Sequence, residues 1–158
     1  MARTKRLVGL AFQVSIPVFL GLLVIIRLFF FQIVRISGNS MFPTLKSGQF
    51  VIAYSILCYA DQVERNDIVL VQCPGSLKLI IKRVVGIPGD KITISQDGIF
   101  RNNELITSCN NSCQNNEIIV VPPGSYFLLG DNVSESIDSR TLEMFTEASI
   151  IGKVRCTH

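Results

Sequence analysis

LKLIIKRVVGI, residues 77–87, is the stretch that decides the fold. It is rich in β-branched residues and predicts a β-strand. Successive side chains of a strand point to opposite faces, so Lys82 lies on the same face as Ile80 and Val84, and Arg83 lies on the other. A strand lysine usually faces solvent, but the apolar neighbours on both sides predict that Lys82 is buried. Burial would lower its pKa.

Further short β-rich segments, separated by turn residues, surround this strand. The other predicted strands are Phe50–Tyr54, Asp67–Gln72, Lys91–Ser95, Gly98–Arg101, Glu117–Val121, Ser125–Leu129 and Ser149–Val154. The Asp97-Gly98 and Asn102-Asn103 pairs are turn signals between them. The polar stretch Thr107–Asn116 predicts a surface loop or a hairpin tip. We therefore expect a mostly β fold, with one antiparallel β domain in residues 36–158 that forms coiled sheets or a partly closed barrel.

A long apolar segment precedes the predicted domain. Residues 7–26 (LVGLAFQVSIPVFLGLLVII) carry no charge, and twenty helical residues span roughly 30 Å, the thickness of a bilayer core. A cleaved signal peptide has a shorter apolar core, and a buried core helix of this length has a polar face. The sequence therefore predicts one transmembrane helix.

The charged flank predicts the orientation of this helix. Arg3, Lys5 and Arg6 precede it closely, so the positive-inside rule places residues 1–6 in the cytoplasm and the β domain outside. Phe29–Phe31 follow the span, and two interpretations stay open for them. They lie in the headgroup region of the membrane, or they continue the helix into the core of the domain.

The composition excludes several classes of function. The only histidine is His158, the last residue, which argues against a Ser–His–Asp triad and against histidine-based zinc sites. The net charge of +3 is mild and arises largely at the N-terminus, so it does not indicate nucleic-acid binding. No Gly-rich phosphate loop precedes a helix, and we expect neither a metal nor a cofactor.

The five cysteines permit disulfides if the domain lies outside the cytoplasm. Cys109 and Cys113 share one polar loop, which makes a local bridge between them plausible. Because the count is odd, at least one thiol stays unpaired within the chain.

A domain without an internal histidine needs another base for nucleophilic catalysis. A serine hydroxyl is a weak nucleophile until a base removes its proton, and a buried, neutral lysine can do so. Residues 37–45 (SGNSMFPTL) offer Ser40, although taken alone they are typical of a turn. Residues 130–140 (GDNVSESIDSR), if extended, would point three polar side chains the same way: Ser136, Asp138 and Arg140.

Together these segments resemble the bacterial type I signal peptidases, Ser–Lys dyad serine proteases of the peptidase S26 family. Residues 37–45 are similar to the nucleophile box, residues 80–90 (IIKRVVGIPGD) to the base box and residues 130–140 to the last box. Residues 65–72 (RNDIVLVQ) are similar to the strand box between the first two. The resemblance implies a membrane-bound endopeptidase that cleaves signal peptides from exported preproteins after small residues.

The resemblance also implies a location and a catalytic pair. It places the chain in the bacterial cytoplasmic membrane as a single-pass protein in contact with the lipid bilayer, and it leaves the oligomeric state open. Ser40 takes the position of the nucleophile and Lys82 that of the general base. Met41 and Pro43 occupy substrate-binding positions, and the substrate would bind extended beside the site.

Supporting roles follow from the same resemblance. Ser136 would hold the lysine amine, and Asp138 with Arg140 and Arg83 would form one bracing salt-bridge group. The N–H of Ser40 would be the chief oxyanion donor, because Gly38 stands where some members have a second serine donor.

The chain departs from the family pattern at Thr141-Leu142-Glu143, where members usually have an aromatic pair and a glycine. This difference keeps open a dedicated processing peptidase for a pilin or conjugation protein. An inactive membrane-tethered binding domain is a separate alternative, and the presence of both Ser40 and Lys82 argues against it. The self-cleaving repressors share Ser–Lys chemistry, but the predicted anchor argues against them.

Overall fold

The computed structural model describes residues 16–25, 30–55, 63–109 and 116–155. Within these ranges the chain forms eleven strands and two short 3₁₀ turns. The strands are β1 (Phe31–Arg35), β2 (Phe50–Ser55), β3 (Ile68–Gln72), β4 (Leu79–Gly86), β5 (Lys91–Ile94), β6 (Ile99–Arg101), β7 (Glu104–Thr107), β8 (Glu117–Val120), β9 (Ser125–Leu129), β10 (Phe145–Thr146) and β11 (Ile150–Arg155). The 3₁₀ turns are Val133–Glu135 and Glu147–Ser149.

The strands form two sheets in which every pairing is antiparallel. The larger sheet has the order β1-β2-β11-β3-β4-β9-β10 and coils into a half-barrel, and the smaller has the order β7-β6-β5-β8. The prediction of a mostly β, antiparallel domain is confirmed. Each of the eight predicted strands corresponds to an observed strand, with ends that differ by at most two residues.

Three observed strands lie outside the predicted set: β1, β7 and β10. β1 pairs along its whole length with β2, from Phe31 opposite Tyr54 to Arg35 opposite Phe50. Phe31 therefore begins a strand and does not continue a helix. Its ring meets that of Tyr54 edge to face at 5.3 Å, a favourable aromatic geometry for a cross-strand pair.

Residues 16–25 are helical, and their large apolar side chains are exposed. Within the described ranges, no helix has the length and apolar character needed to cross a bilayer. The predicted span covers residues 7–26, of which residues 7–15 and 26 fall outside the described part of the chain, as does the predicted cytoplasmic segment of residues 1–6.

The hydrophobic core consists of three clusters of buried side chains, and β4 contributes residues to each of them. Ile81 belongs to the first cluster, and Val85 belongs to the second, which joins residues of β9 to residues of the smaller sheet. Val84 belongs to the third, which contains Phe145. A substitution that shifts β4 would therefore disturb all three clusters.

Two cysteines lie within the described ranges. Cys73 is a free thiol. Cys109 is buried in the second core cluster and is disulfide-bonded. The pairing of Cys109 with Cys113 therefore stays a prediction.

Asp90 joins three parts of the chain near the start of the smaller sheet. Its buried carboxylate accepts hydrogen bonds from Arg65 Nε and Nη2 at 3.0 and 2.7 Å. It also accepts from the backbone N–H of Ile87 at 3.1 Å and from Asn102 Nδ2 at 2.7 Å. The Arg65 guanidinium, with the bonds from Ile87 and Asn102, lowers the pKa of Asp90 to about 2.

Asp90→Asn would keep the side-chain shape and remove the charge that these donors bind. Hydrogen bonds to charged groups contribute about 1.5–3 kcal/mol, so we expect the free energy of unfolding to fall by about 2 kcal/mol at neutral pH. Because the folded-state pKa lies below the ordinary value, this stability is present above that value. It is lost as the pH falls from about 4 towards 2. Urea unfolding at neutral pH and near pH ~3 measures both effects.

Asp97→Asn is the matched control, since Asp97 is exposed in the turn between β5 and β6. It should leave the unfolding midpoint unchanged. If Asp90→Asn lowered the free energy of unfolding equally at both pH values, the assigned charge interaction would be contradicted.

Candidate active site

β4 places Lys82 in the interior of the larger sheet. Lys82 pairs with Val69 of β3, and only 3% of its surface is exposed. Its Nζ donates a hydrogen bond of 2.9 Å to Ser136 Oγ. Among the described residues, no carboxylate forms an ion pair with this amine. The predicted burial of Lys82 is confirmed.

This burial sets the protonation of the amine. Removal from water disfavours the charged form and lowers the pKa of Lys82 below the ordinary lysine value. The carboxylate of Asp138 acts in the opposite direction, and the positive charges of Arg140 and Lys78 lower the pKa further. Lys82 is therefore closer to the neutral, basic form at physiological pH than a solvent-exposed lysine would be.

Ser40 lies in a tight turn that is anchored to the core on both sides. Ile36 N–H donates to the carbonyl of Gln49 at 2.8 Å. After the turn, the buried side chains of Met41 and Leu45 pack in the first core cluster, and Leu45 N–H donates to the Met41 carbonyl at 2.8 Å. The N–H of Ser40 has no hydrogen-bond acceptor within the described ranges, so it is available to a substrate oxygen.

The segment after β9 brings the serine turn and the lysine together. Asn132 N–H donates to the carbonyl of Ser40 at 3.0 Å. A side chain at position 130 would collide with Ser136 Oγ and with the Ser40 carbonyl, so Gly130 is required by this close approach. Because Ser136 also bonds Lys82, one glycine lies where all three predicted segments meet.

Asp138 and Arg140 form a buried ion pair beneath this meeting point. Arg140 Nε lies 2.8 Å from Asp138 Oδ1, and Asp138 is fully buried. The other carboxylate oxygen accepts from Gly130 N–H at 3.1 Å. Arg140 Nη2 donates to the carbonyls of Val133 and Ser136 at 2.8 and 3.1 Å. The pair thus holds the backbone on either side of Ser136.

Residues 136–140 are not extended throughout, so the condition under which Ser136, Asp138 and Arg140 would point the same way is not met. A 3₁₀ turn occupies Val133–Glu135, and a further turn follows Asp138, whose carbonyl accepts from the N–H groups of Thr141 and Leu142. Ser136 and Asp138 meet different partners because the backbone bends between them. The hydrogen bonds of the Asp138 side chain favour this bend over a strand.

Arg83 is not part of the Asp138–Arg140 pair, contrary to the expected single salt-bridge group. Its guanidinium donates two bonds of 2.7 Å to Asp131. Thr44 Oγ1 also donates to Asp131. Strand alternation explains the difference, because Arg83 and Lys82 leave β4 on opposite faces.

A groove of about 290 Å³ runs along the site. Residues 34–41 form one wall and residues 78–82 the other, and Leu70, Glu135 and Ile137 complete the lining. Met41 lines this groove. Pro43 is exposed in the serine turn and is not among the lining residues. Ser40 and Lys82 therefore line the same groove. Ser136 does not line it but contacts Lys82 through the hydrogen bond from Nζ.

The lysine wall of the groove is an open sheet edge. Just before β3, the Val84 N–H donates to the Asp67 carbonyl, and the Val84 carbonyl accepts from the Asn66 N–H. The backbone groups of every second residue of a strand point to the same side, so those of Lys82 and Ile80 also face β3. Those of Ile81 and Leu79 therefore point away from β3. β9 covers this second side only at Arg83, Val84 and Gly86. Within the described ranges, no strand pairs with the edge at Leu79–Ile81.

Comparison with known proteins agrees with this arrangement. The family model described as signal peptidase, peptidase S26, matches residues 9–158. The chain belongs to the peptidase S26 family of signal peptidases. It is therefore a serine endopeptidase, and its activity is signal-peptide cleavage.

Individual relatives have similar lengths. A signal peptidase I U of Bacillus subtilis is 29% identical over 163 residues, which cover 95% of this chain and 87% of the relative. A signal peptidase I of Bacillus amyloliquefaciens is 30% identical over 152 residues, or 87% and 79% of the two chains. The crystal structure of a signal peptidase I from Enterococcus faecalis V583 has a TM-score of 0.51 at 25% identity, covering 60% of this chain and 98% of that one.

The departure from the family pattern at residues 141–143 does not reach the groove. Thr141 and Leu142 bond to the Asp138 carbonyl, and Leu142 packs against the third core cluster. Glu143 is exposed. None of the three is among the groove-lining residues, so this segment offers no structural argument for a specialised substrate.

Sequence reasoning missed several residues of this peptidase site. It gave no role to Asp131, Asn132 or Gly130, although all three lie in the quoted stretch GDNVSESIDSR. Asp131 had a detectable signal, because Arg83 needs a partner on the face opposite Lys82. The requirement for Gly130 had none, since it depends on three segments that are distant in sequence.

The two ion pairs should differ in their effect on stability. Asp138→Asn would leave the Arg140 guanidinium, only 11% exposed, without its counter-charge, which costs about 3–5 kcal/mol for a buried pair. Asp131→Asn acts on a more exposed pair, in which Arg83 is 26% exposed, and should cost about 1–2 kcal/mol. Denaturant unfolding measures the free energy of unfolding of both variants. The assignment requires a larger loss for Asp138→Asn than for Asp131→Asn.

Proposed function

We propose that this signal peptidase is membrane-bound and cleaves preproteins with Ser40 as nucleophile and Lys82 as general base. The observation that carries the proposal is the buried Lys82 amine, bonded to Ser136 and facing the groove that Ser40 lines. A buried amine of lowered pKa can accept the proton that makes a serine hydroxyl a competent nucleophile. The absence of an internal histidine makes lysine the available base.

The acylation step follows from these positions. Lys82 takes the hydroxyl proton as Ser40 Oγ attacks the carbonyl carbon before the cut. The oxyanion accepts a hydrogen bond from the N–H of Ser40. Lys82 then returns the proton to the amine of the departing mature chain, leaving an ester on Ser40. Ser136 acts as a positioning residue, because it fixes the direction of the Lys82 amine.

Deacylation reverses these roles with water as the nucleophile. Lys82 accepts a proton from the water that attacks the ester, and Ser40 recovers a proton when the signal peptide leaves. The Asp138–Arg140 pair contributes indirectly, because it holds the backbone on both sides of Ser136. The same base therefore acts in both halves of the reaction.

The substrate would bind as an added strand along the edge of β4. The backbone groups of Leu79 and Ile81 offer hydrogen bonds to an extended peptide. The groove is partly apolar, and its lining includes Ile36, Met41 and Ile81. Such a lining suits small uncharged side chains, which agrees with cleavage after small residues.

The membrane part of the proposal depends on residues 7–26. Their twenty uncharged residues fit the thickness of a bilayer core, and basic residues precede them. The apolar side chains of residues 16–25 are exposed, which suits a lipid environment. We infer a single-pass protein of the bacterial cytoplasmic membrane whose β domain lies outside, where exported preproteins emerge.

Ser40→Ala and Lys82→Ala should each abolish processing of an exported preprotein by the detergent-solubilised chain. We expect losses of at least ~10³-fold in kcat/KM, because each variant removes a participant in proton transfer or bond formation. Lys82→Met separates chemistry from folding, since it replaces the buried amine with an apolar side chain of similar length. Thermal unfolding should show that it folds, and it should be equally inactive.

Lys91→Ala is the control for the loss of a lysine, because Lys91 is exposed on the smaller sheet. It should process the preprotein at the wild-type rate. Retained cleavage in either Ser40→Ala or Lys82→Ala would overturn the dyad while leaving family membership untouched.

The pH profile tests the protonation of Lys82 separately. The base must be neutral, so kcat/KM should rise with pH through the pKa of Lys82, at a pH below the ordinary lysine range. The positive charge of Lys78 lowers this pKa. Lys78→Gln should therefore move the rising limb to higher pH, by a few tenths of a unit because Lys78 is exposed and screened. Lys91→Gln should not move it, and a shift to lower pH would contradict the assignment.

A further inference from the structure

We propose that a second cavity, on the far side of the serine turn, binds the first residues of the mature chain after the cut. This cavity has a volume of about 240 Å³. Its lining is Phe42, residues 107–109 and residues 131–134. The inference rests on the proposed function, because it requires that the groove holds the residues before the cut.

The two cavities lie on opposite sides of the same chain segments. Residues 34–41, from the end of β1 into the serine turn, line the groove, whereas Phe42 lines the second cavity. In the segment after β9, residues 131–134 line the second cavity, whereas Glu135 and Ile137 line the groove. The Asn132–Ser40 backbone hydrogen bond therefore lies at the boundary between the two spaces. A peptide whose scissile bond lies at Ser40 would place the residues before the cut on one side of this boundary and those after it on the other.

The sheet itself directs the peptide across this boundary. The open edge of β4 ends after Ile81, because the next residue whose backbone groups face that side, Arg83, pairs with Leu129 of β9. A substrate strand that follows Leu79 and Ile81 meets the end of β9 and must leave the sheet. Beyond that point lie Gly130 and residues 131–134, which lead to the second cavity.

The lining predicts which side chains the cavity accepts. Its single charged residue, Asp131, is already paired with Arg83 and bonded to Thr44. The other lining residues are neutral: Phe42, Thr107, Ser108, Cys109, Asn132, Val133 and Ser134. An uncharged substrate side chain fits such a site, whereas a carboxylate would lie beside the Asp131 carboxylate and lose its hydration. The smaller sheet thus contributes to selection, through residues 107–109 at the end of β7.

The test uses peptides that are identical before the cut and carry Ser, Phe or Asp at each of the first three positions after it. At one of these positions, the full-length wild-type chain should cleave the Asp peptide about tenfold less efficiently than the Ser peptide. Ser134→Lys adds a cation to the cavity, and Ser134 is exposed. It should restore cleavage of that Asp peptide about threefold, the size expected for an exposed ion pair.

Ile118→Lys is the matched control, because it adds the same charge to an exposed position of β8 outside both cavities. It should leave the Asp penalty unchanged. Phe42→Ala, which opens the cavity, should reduce the preference among residues after the cut and leave preferences before the cut intact.

Two results would overturn the inference: no Asp penalty at any of the three positions, or equal rescue by Ser134→Lys and Ile118→Lys. Failure of the proposed function looks different. In that case cleavage of every peptide would be absent in the wild type or would persist in Ser40→Ala.

Discussion

The burial of one lysine amine is the constraint on which the rest of the site depends. A charged ammonium inside a sheet would need a counter-ion, and no carboxylate pairs with Lys82 in the described part of the chain. The amine instead has one neutral hydroxyl partner, Ser136. The fold therefore favours the neutral base that a serine nucleophile requires, and it does so without a histidine.

The close approach at Gly130 makes this arrangement possible. Ser40 and Ser136 come from segments almost a hundred residues apart, and both contact the space where a side chain at position 130 would lie. The Asp138 carboxylate holds Gly130 N–H from below, and the Asn132 N–H holds the Ser40 carbonyl. The site is thus set by backbone hydrogen bonds as much as by side chains. Such contacts are less easily displaced than exposed ion pairs.

The strands were predicted well because most of them are short runs of β-branched and other apolar residues bounded by turn residues. β4 illustrates this, since its burial pattern follows from apolar residues on either side of Lys82. β1 was missed because its apolar residues continue directly from the predicted anchor, so no turn signal separates strand from helix. β10 has only two residues, and a period-two pattern cannot be recognised at that length.

The site was predictable to the extent that it is local. Lys82 and its burial follow from one strand, and the pairing of Asp138 with Arg140 spans only two residues. The partner of Arg83 was assigned wrongly because family resemblance was followed where strand alternation already gave the answer. Asp90 received no role, although it ends the quoted base segment, because its donors come from Arg65, Ile87 and Asn102 in three separate parts of the chain. Local patterns identify which residues carry chemistry, whereas their partners depend on the tertiary fold.

The unpaired edge of β4 is both a structural feature of the larger sheet and the proposed binding place of the substrate. An unpaired strand edge invites association with other chains, and proteins usually shorten or cover such edges. Here β9 covers one half of the edge, and the wall formed by residues 34–41 flanks the other half. In the proposed binding mode, the remaining gap would hold one extended peptide between Ser40 and Lys82. The preference for an extended substrate would then follow from how the half-barrel is closed, and the end of β9 would limit how far the peptide can follow the edge.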